Sequence, residues 1–399
     1  MASAAFSVRG SRVLHIDGHE HYGAESASLS LSQYEKSPEV LAGRSEFSDQ
    51  YVISLGKRFS LDISPGFLFA KDELVDTLIS SGVSDHLSFT GIAKIYFRRN
   101  EIDSAFFLLP FSKAEVFQSK DLTVFEKRNL MKFLTSELSG FSLDLQTAAI
   151  VGRDKYHEVN DLPSLDHSIS YNRYWLSYLS EKGVSDKLQD MISFGLCGFT
   201  GRNELRNASC QDGKRRIERF ARSLGRFSEK SAILYPNYGM GELSQAFARK
   251  SAVHGGLFAL NCSSIDWQVE AKLVTTSTGD LVSAENFIQS EKDIPGKVLT
   301  IIVKSCENQV FDTNSLLVST FEEFVIFGLF IDHLTNCVPE GYKILHVWSI
   351  EGSLNDMRQF SNEILCGNEI CFTSSHDGLF DYSKAVSDAK GMFHSQWPF

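Results

Sequence analysis

Five side chains that could ligate a metal ion lie close together near the start of the chain. His15 and Asp17 alternate on a predicted strand, and His19, Glu20 and His21 follow in a polar loop. Alternate residues of a strand point to the same face, so His15 and Asp17 could converge. The loop gives no fixed geometry, and no HExxH sequence occurs. The pattern favours a polar strand end and loop, and we predict no metal site.

Other catalytic signatures are absent from the sequence. No GxSxG nucleophile elbow, P-loop or kinase motif set occurs. Asp17 does end an apolar strand, as the ribose-binding acid of a dinucleotide-binding unit would. The glycine-rich turn that such a unit needs for close approach of phosphate is missing upstream. The residues therefore predict no bound dinucleotide, and we expect no cofactor.

A strongly basic helix is predicted at Gly213–Leu224, with Gly225 as a suitable residue to end it. One acid, Glu218, stands among six basic residues in and just beyond this helix: Lys214, Arg215, Arg216, Arg219, Arg222 and Arg226. Two interpretations stand, a solvated helix face and a docking surface for an acidic protein or a phosphate.

The segment LYPNYGMGELSQAFARKSAVHGG, residues 234–256, is the most informative part of the sequence. A tight glycine turn precedes a predicted helix, Glu242–Val253. Glu242, Gln245 and Arg249 are spaced i, i+3 and i+7 and therefore share a face. A charged stripe of both signs suits recognition of a protein surface, and an ordinary surface face is the alternative.

The elements that must position these residues follow an α/β pattern interrupted by helices. We predict α/β structure in residues 1–118 and 229–399, with a helical domain inserted at 119–228. Thr123 and Glu126 form a capping box at the start of the first inserted helix. Helices are otherwise expected at Ala2–Val8, Glu73–Ser81, Asn172–Glu181, Asp186–Ile192 and Tyr382–Phe393. Strands include Arg12–Asp17 and Ser88–Phe97, and strands and turns continue from 257 to about Phe372.

Composition limits the classes of function. The chain has 399 residues, with 39 Lys and Arg against 50 Asp and Glu, a net charge of −11 that argues against sequence-independent nucleic-acid binding. The seven Cys are odd in number and lack a CxxC motif, which indicates reduced thiols. The longest apolar run, Phe324–Ile331, is too short for a membrane-spanning helix. We expect a soluble cytosolic protein that contacts membranes only peripherally.

Residues 234–256 closely resemble the hallmark of the Rab GDP-dissociation inhibitor and Rab escort protein family, approximately LYPxYGxGELPQxFxRxxAxxGG. The matching residues are Leu234, Tyr235, Pro236, Tyr238, Gly239, Gly241, Glu242, Leu243, Gln245, Phe247, Arg249, Ala252, Gly255 and Gly256; Ser244 replaces the usual Pro. Residues 13–26 (VLHIDGHEHYGAES) and 82–89 also fit the family. Residues 116–134 look more like escort proteins than inhibitors.

The resemblance implies a large FAD-monooxygenase-like, Rossmann-related α/β domain with an inserted smaller helical domain. Family members bind GDP-loaded Rab GTPases through the large domain and shelter prenyl groups in the helical one, without using flavin. The expected partners are GDP-bound Rab, the Rab geranylgeranyltransferase heterodimer and the geranylgeranyl lipid. An escort protein is the favoured interpretation. A dissociation inhibitor and a flavin-dependent oxidoreductase of the same fold ancestry remain as alternatives, as does a purely structural interaction protein.

Carried onto this chain, the resemblance implies that Tyr22, Glu242 and Arg249 form the Rab-binding platform, with Arg226 beside it. Six residues could line the prenyl groove, with helical core packing as the alternative: Phe125, Met131, Phe133, Phe194, Leu196 and Phe199. An aromatic stretch expected to be exposed could contact the transferase, again with core packing as the alternative: Tyr174, Trp175 and Tyr178. The family opens with a strand and a GTG-type turn that this sequence lacks, so we expect the chain to be shorter than a full member at its start.

Overall fold

The computed structural model describes residues 1–37, 40, 44–47, 49–99, 103, 105–137, 173–228, 231–268, 272–288, 295–305, 311–365 and 369–379. In chain order the helices are α1 (Ala2–Val8), α2 (Leu31–Tyr34), α3 (Gln50–Ser54), α4 (Glu73–Ser80), α5 (Lys113–Gln118), α6 (Val124–Glu137), α7 (Trp175–Glu181), α8 (Asp186–Asp190), α9 (Arg202–Asn207), α10 (Cys210–Ser223), α11 (Gly241–Val253) and α12 (Leu354–Ile364).

The described strands lie on either side of the longest helical stretch, up to Leu108 and again from Ile233. They are β1 (Leu14–Ile16), β2 (Ser28–Leu29), β3 (Arg44–Phe47), β4 (Leu61–Asp62), β5 (Leu68–Phe69), β6 (Phe89–Ile92), β7 (Lys94–Arg99), β8 (Phe107–Leu108), β9 (Ile233–Pro236), β10 (Leu257–Ala259), β11 (Ser264–Gln268), β12 (Leu273–Thr276), β13 (Leu281–Ser283), β14 (Pro295–Lys304), β15 (Ser315–Thr320), β16 (Val325–Ile331), β17 (Tyr342–Ser349) and β18 (Ile370–Leu379).

The largest sheet has eight strands in the order β3-β18-β14-β17-β16-β15-β7-β8. The β7–β15 pair is parallel and the other neighbours are antiparallel. Every residue of β15 and β16 is buried, so both faces of the sheet centre are covered. Such strands read as continuous apolar runs, which explains the run Phe324–Ile331 without a membrane. No described helix is long and apolar enough to cross a bilayer.

Helix α12 covers one face of this sheet and corrects the prediction of only strands and turns up to Phe372. Ser353 and Asp356 form a capping box at its start. Met357, Phe360 and Ile364 then pack on the sheet. A Cβ at Gly328 of β16 would lie 3.0 Å from the Phe360 ring, so the missing side chain lets the helix approach closely.

Two of the smaller sheets join N-terminal strands to strands that follow residue 232, and another small sheet is formed by β11, β12 and β13. Strands β1 and β10 pair in parallel, β2 pairs with β4, and β9 lies between β5 and β6. Helix α1 packs on α11, where the hydroxyls of Ser7 and Ser251 are 2.9 Å apart. The predicted single strand Ser88–Phe97 is two strands in different sheets, β6 and β7, which part at Ala93.

The described residues of 119–228 hold helices and one isolated bridge between Tyr174 and Ser209. The capping box of Thr123 and Glu126 is present, with both backbone N–H groups bonded as predicted. Residues 191–196 continue α8 as one π-helical stretch. The helices at Glu73–Ser81, Asp186–Ile192 and Gly213–Leu224 appear within a few residues of the predicted bounds. The predicted helix Tyr382–Phe393 lies outside the described residues, and the domain boundaries remain predictions.

Helix α9 is fixed to the end of the large sheet by charged groups. The Glu351 carboxylate accepts hydrogen bonds from the backbone N–H groups of Arg202 (2.7 Å) and Asn203 (2.8 Å), and so caps the helix from a distant part of the chain. The Arg202 guanidinium binds both carboxylate oxygens of Asp190, at 2.5 and 2.8 Å. The Glu351 contacts join the helical segment to the end of the large sheet, and the Asp190 pair joins α9 to α8.

Candidate functional site

The candidate site is built around a buried carboxylate, Asp62, that the sequence did not reveal. Its Oδ1 accepts hydrogen bonds from the Ser28 hydroxyl (2.5 Å) and the backbone N–H of Met240 (2.9 Å). Its Oδ2 accepts a hydrogen bond from the Tyr235 hydroxyl at 2.7 Å. Burial raises the pKa of Asp62 to about 6, although its three donors favour the ionised form. Asp62 thus joins β2, β4 and β9 to the turn before α11.

Hydrogen bonds from other parts of the chain hold the turn at residues 237–240 in place. Tyr238 and Gly239 have positive φ angles of 70° and 101°. The N–H of Tyr238 donates to the Thr335 carbonyl (2.8 Å), and the Ser60 hydroxyl donates to the Tyr238 carbonyl (2.6 Å). These bonds offset the strain of a left-handed non-glycine residue. The turn therefore fixes where α11 begins.

Gly241 allows α11 to start directly against β2. Its N–H donates to the Ser28 hydroxyl at 2.7 Å, and a Cβ at this position would lie 2.2 Å from the Ser28 backbone nitrogen. No other residue fits such a close backbone approach without a shift. The glycines of this motif thus serve to position the helix.

Helix α11 has the two faces that its spacing predicts. Leu243, Ala246 and Phe247 are buried, whereas Gln245 and Arg249 are exposed and Glu242 is half-buried. Partial burial raises the pKa of Glu242. Seven residues of α-helix span about 10 Å, which separates Glu242 from Arg249 along the axis. The result is a rigid stripe with an acid at one end and a base at the other.

Tyr22 lies at a turn that packs against this helix. A Cβ on the neighbouring Gly23, whose φ is 96°, would lie 3.1 Å from the Ser244 Cβ. The Tyr22 side chain is 41% exposed and meets the Phe258 ring edge-on, at 5.5 Å between centroids. The structure therefore brings the turn that carries Tyr22 against the helix that carries Glu242 and Arg249, while the Tyr22 ring itself packs on Phe258. We call Tyr22, Glu242, Arg249 and Gln245 the α11 surface.

Arg226 is engaged within the chain. Its guanidinium donates to the Ala70 carbonyl (2.6 Å) and pairs with Asp76 (2.7 Å). It therefore connects the end of α10 to α4, and the structure does not offer it as part of the α11 surface.

The other bases of α10 are paired in the same way. Arg216 pairs with Glu204 and Asp212, Arg219 with Asp72, Arg222 with Glu218, and Arg215 with Asp212, while Lys214 is buried with its ammonium over the Tyr178 ring. Most of these charges have partners inside the protein. The basic run is therefore neither the fully solvated face nor the free docking surface considered from the sequence.

The predicted prenyl-site residues divide into two groups. Four of them have exposed fractions of 0–2% and belong to the main core: Phe133, Phe194, Leu196 and Phe199. Met131 is partly buried, and Phe125 is 68% exposed at the start of α6. A lipid could reach the first group only if the core helices moved apart.

The expectation that Tyr174, Trp175 and Tyr178 are all exposed is wrong for two of them. Tyr174 is exposed, but Trp175 and Tyr178 are buried on the inner face of α7. The Trp175 indole N–H donates to the Ser193 hydroxyl (3.1 Å), and the Tyr178 hydroxyl donates to Glu137 (2.5 Å). Residues three apart share a helix face, so the two rings face the core together while their polar atoms find partners.

The histidines near β1 form local hydrogen bonds. The Asp17 carboxylate accepts from the His19 backbone N–H (3.0 Å) and lies 2.8 Å from its ring Nδ1. His15 Nδ1 lies 3.0 Å from the Ser3 hydroxyl. Within the described ranges no three potential metal-ligating side chains converge. The five described cysteines are buried and form no disulfide with one another.

Asp62 is the main site residue that the sequence reasoning missed. A signal was present, since a single acid stands between the apolar residues Leu61 and Ile63. Charged residues are almost never fully buried unless they have partners, so such an acid indicates a buried hydrogen-bond network. The partners themselves lie 34 to 178 residues away in sequence and could not be identified from it.

Known proteins similar to this chain include a Rab geranylgeranyltransferase component and Rab GDP-dissociation inhibitors. A Rab proteins geranylgeranyltransferase component A from Drosophila melanogaster is 26% identical, and the match covers 99% of this chain and 86% of that protein. The Rab GDP-dissociation inhibitor of Saccharomyces cerevisiae is 31% identical over 65% of this chain. The chain spans 52% of the length of that inhibitor and 62% of an Arabidopsis thaliana inhibitor that is 29% identical.

Solved structures confirm the predicted fold class. A Rab GDI from Plasmodium falciparum has a TM-score of 0.67 at 16% identity, covering 99% of this chain and 95% of that one. An oxidoreductase from Methanosarcina mazei has a TM-score of 0.56 at 13% identity, covering 94% and 85%. Both share this α/β fold. The family model described as GDP dissociation inhibitor matches residues 1–306, most of the chain. The chain therefore belongs to the GDP dissociation inhibitor family.

Proposed function

We propose that this chain is a chaperone for Rab GTPases that binds them in the GDP-loaded state through the α11 surface. The observation that carries the proposal is the fixed position of α11, which presents Glu242, Gln245 and Arg249 and against which the turn of Tyr22 packs. A surface held in place before binding loses little conformational entropy when a partner docks. Relatives named as Rab GDP-dissociation inhibitors and as a geranylgeranyltransferase component support the choice of partner.

Titration of the purified chain with GDP-loaded and GTP-loaded Rab tests this proposal. We expect clear preference for the GDP form. Glu242→Ala and Arg249→Ala should each weaken binding by about 1 kcal/mol or more, roughly fivefold. Arg215→Ala and Glu323→Ala are matched controls, since both side chains are exposed and lie outside the α11 surface. Unchanged binding in both test variants would remove the platform assignment, and equal binding of both nucleotide states would favour a purely structural interaction protein.

Within this family, we favour the escort role, in which the chain presents Rab to Rab geranylgeranyltransferase. The long match to the Drosophila component A supports it, and the exposed Tyr174 is the remaining candidate for contact with the transferase. Reconstituted geranylgeranylation with and without the chain separates the two roles. Stimulation supports an escort. GDP-Rab binding and extraction of prenylated Rab from membranes, without stimulation, support a dissociation inhibitor.

The proposed chaperone also shelters the 20-carbon prenyl group in its helical part. Transfer of each CH₂ from water is worth about 0.8 kcal/mol, so even partial burial is strongly favourable. Met131 and Phe125 are the accessible candidates, and the four core residues would have to separate to admit the chain. Met131→Lys should weaken binding of a fluorescent geranylgeranylated peptide. Exposed Lys132→Ala serves as its control, and equal affinities would place the lipid elsewhere.

We further propose that the chain has no catalytic activity of its own and works in the cytosol with transient membrane contact. Flavin-dependent oxidoreduction is the alternative on this fold. Relatives named as a Rab GDP-dissociation inhibitor and as a geranylgeranyltransferase component support the non-catalytic interpretation. Purification with a flavin absorbance spectrum would overturn it, and fractionation of cells would test the location.

A further inference from the structure

Lys214 differs from the other bases of α10 because it is buried and pairs with no acid that the structure describes. This residue is 6% exposed, and its ammonium lies 5.0 Å from the centre of the Tyr178 ring. Lysine is almost never fully buried unless it has a partner. A cation over an aromatic ring recovers only part of the hydration that burial removes. The fold therefore holds a positive charge that a bound anion would stabilise.

Two more cations lie around the same ring. The Arg173 guanidinium and the Lys182 ammonium are 5.5 and 5.3 Å from the centre of the Tyr178 ring. Arg173 and Lys182 flank α7, and the packing of α7 on α10 brings Lys214 to them. Burial raises the pKa of the Cys210 thiol, and the same three cations oppose this rise, so they converge on Cys210 as well. We call Arg173, Lys182 and Lys214 the Tyr178 cluster.

Two acids near the cluster balance only two of its charges. The Glu137 carboxylate accepts a hydrogen bond from the Tyr178 hydroxyl (2.5 Å) and lies 3.4 Å from the Lys182 ammonium. Glu181 pairs with Arg173 at the protein surface, where the Glu181 side chain is 62% exposed. Ion pairs in contact with water are weak, so an incoming anion can take the place of Glu181. One positive charge of the cluster is thus left without an acid.

We propose that the Tyr178 cluster binds a phosphate group of a small ligand. A phosphate monoester carries about two negative charges near neutral pH and three acceptor oxygens, which suit three converging cations. Arg173 and Lys182, whose side chains are 25% and 41% exposed, form the entrance, and Lys214 forms the inner end. Arginine binds phosphate with two parallel hydrogen bonds, and lysine binds it as a point charge. The inference uses only α6, α7 and α10 and does not rest on Rab binding.

Isothermal titration calorimetry of the full chain with inorganic phosphate and with diphosphate tests the proposal. Sodium chloride at matched ionic strength is the control for general screening. We expect saturable binding of both anions, tighter for diphosphate, and a melting temperature that rises with occupancy. Lys214→Met should weaken the binding about tenfold or more. Met is unbranched like Lys and carries no charge, so without anion this variant should be folded and at least as stable as the wild type.

Arg215→Met is the matched control, because Arg215 follows Lys214 in α10 but is exposed and lies outside the cluster. This variant should bind diphosphate like the wild type, whereas Lys182→Met should bind it more weakly. No saturable binding by the wild type, or equal affinities of the wild type and Lys214→Met, overturns the proposal. An equal loss in Arg215→Met overturns it too, because the anion would then bind the basic helix in general. Circular dichroism verifies that each variant is folded.

Geranylgeranyl diphosphate, as a third ligand, identifies the source of the phosphate group. The Tyr178 ring stacks on Trp175 at 5.8 Å between centroids, and Trp175 meets Phe133 at 6.3 Å, so apolar side chains adjoin the cluster. Tighter binding than that of inorganic diphosphate supports the site with a ligand that carries an apolar chain. Equal affinities support the site with a free anion. GDP-Rab titration of the same variants is a separate measurement, and its result does not bear on the anion site.

Discussion

Replacing Asp62 with Ala should destabilise the protein and disturb the α11 surface together. The substitution removes the acceptor for three donors: the Ser28 hydroxyl, the Tyr235 hydroxyl and the Met240 N–H. A buried donor left unpaired costs about 1–3 kcal/mol. The Met240 N–H cannot turn away, whereas the two hydroxyls can rotate in part. We therefore expect a loss of about 3 kcal/mol in the free energy of unfolding.

Asp62→Asn separates the lost hydrogen bonds from the lost charge. The amide oxygen can still accept from Met240 and Ser28, and the Tyr235 hydroxyl can turn to accept from the amide nitrogen. This variant should lose only about 1 kcal/mol. Urea unfolding followed by tryptophan fluorescence measures both variants, with exposed Asp121→Ala as the control. Because Asp62 fixes the turn before α11, Asp62→Ala should also weaken Rab binding at temperatures where the variant is folded.

Two results would contradict the prediction for Asp62. A loss below about 1 kcal/mol for Asp62→Ala, or equal losses for Ala and Asn, would mean that the three hydrogen bonds do not hold this turn. The role of Asp62 as the anchor of the α11 surface would then be wrong.

Three further predictions concern stability. Burial raises the pKa of Asp62 to about 6 in the folded chain, so the unfolded chain loses this proton near pH 4 and the folded chain only near pH 6. The contribution of Asp62 to stability is therefore greatest below about pH 4 and falls as the pH rises to 6. Unfolding of wild type and Asp62→Ala should show a difference of about 3 kcal/mol at pH 7 and a difference about 2 kcal/mol larger at pH 4, and a constant difference would contradict the shift. A Cβ at Gly213 would lie 2.1 Å from the Trp175 ring. Gly213→Ala should therefore lower the free energy of unfolding by about 1–3 kcal/mol, although Ala has the better helix propensity. Exposed Gln211→Ala in the same helix should be near neutral in the same urea titration. Glu351→Ala leaves the first N–H groups of α9 uncapped and should lower the free energy of unfolding by about 1–2 kcal/mol. If its melting temperature shifts no more than that of exposed Glu323→Ala, this contact is weak.

The elements with strong local signals could be predicted from the sequence. The α6 capping box, the α1 helix and the two faces of α11 follow from residue type and spacing within one turn. Helix α12 carried the same kind of signal in Ser353 and Asp356 and in the spacing of Met357, Phe360 and Ile364, and it could have been found. Residues 234–256 indicated the family, because the motif is long and its glycines meet strict backbone demands.

The tertiary structure decided which groups meet. Spacing groups Trp175 with Tyr178 on one helix face, but only the packing of α7 against α6 and α10 makes that face the buried one. Arg226 and Asp76 are 150 residues apart in sequence, and Asp62 and Met240 are 178 apart. Local sequence sets backbone conformation through short-range sterics and hydrogen bonds, whereas the partners of a buried charge are set by chain segments that meet only after folding. For this reason the sequence was enough to identify α11 as the helix that presents the candidate site, whereas only the tertiary structure identified Asp62 as the carboxylate that holds this helix in place.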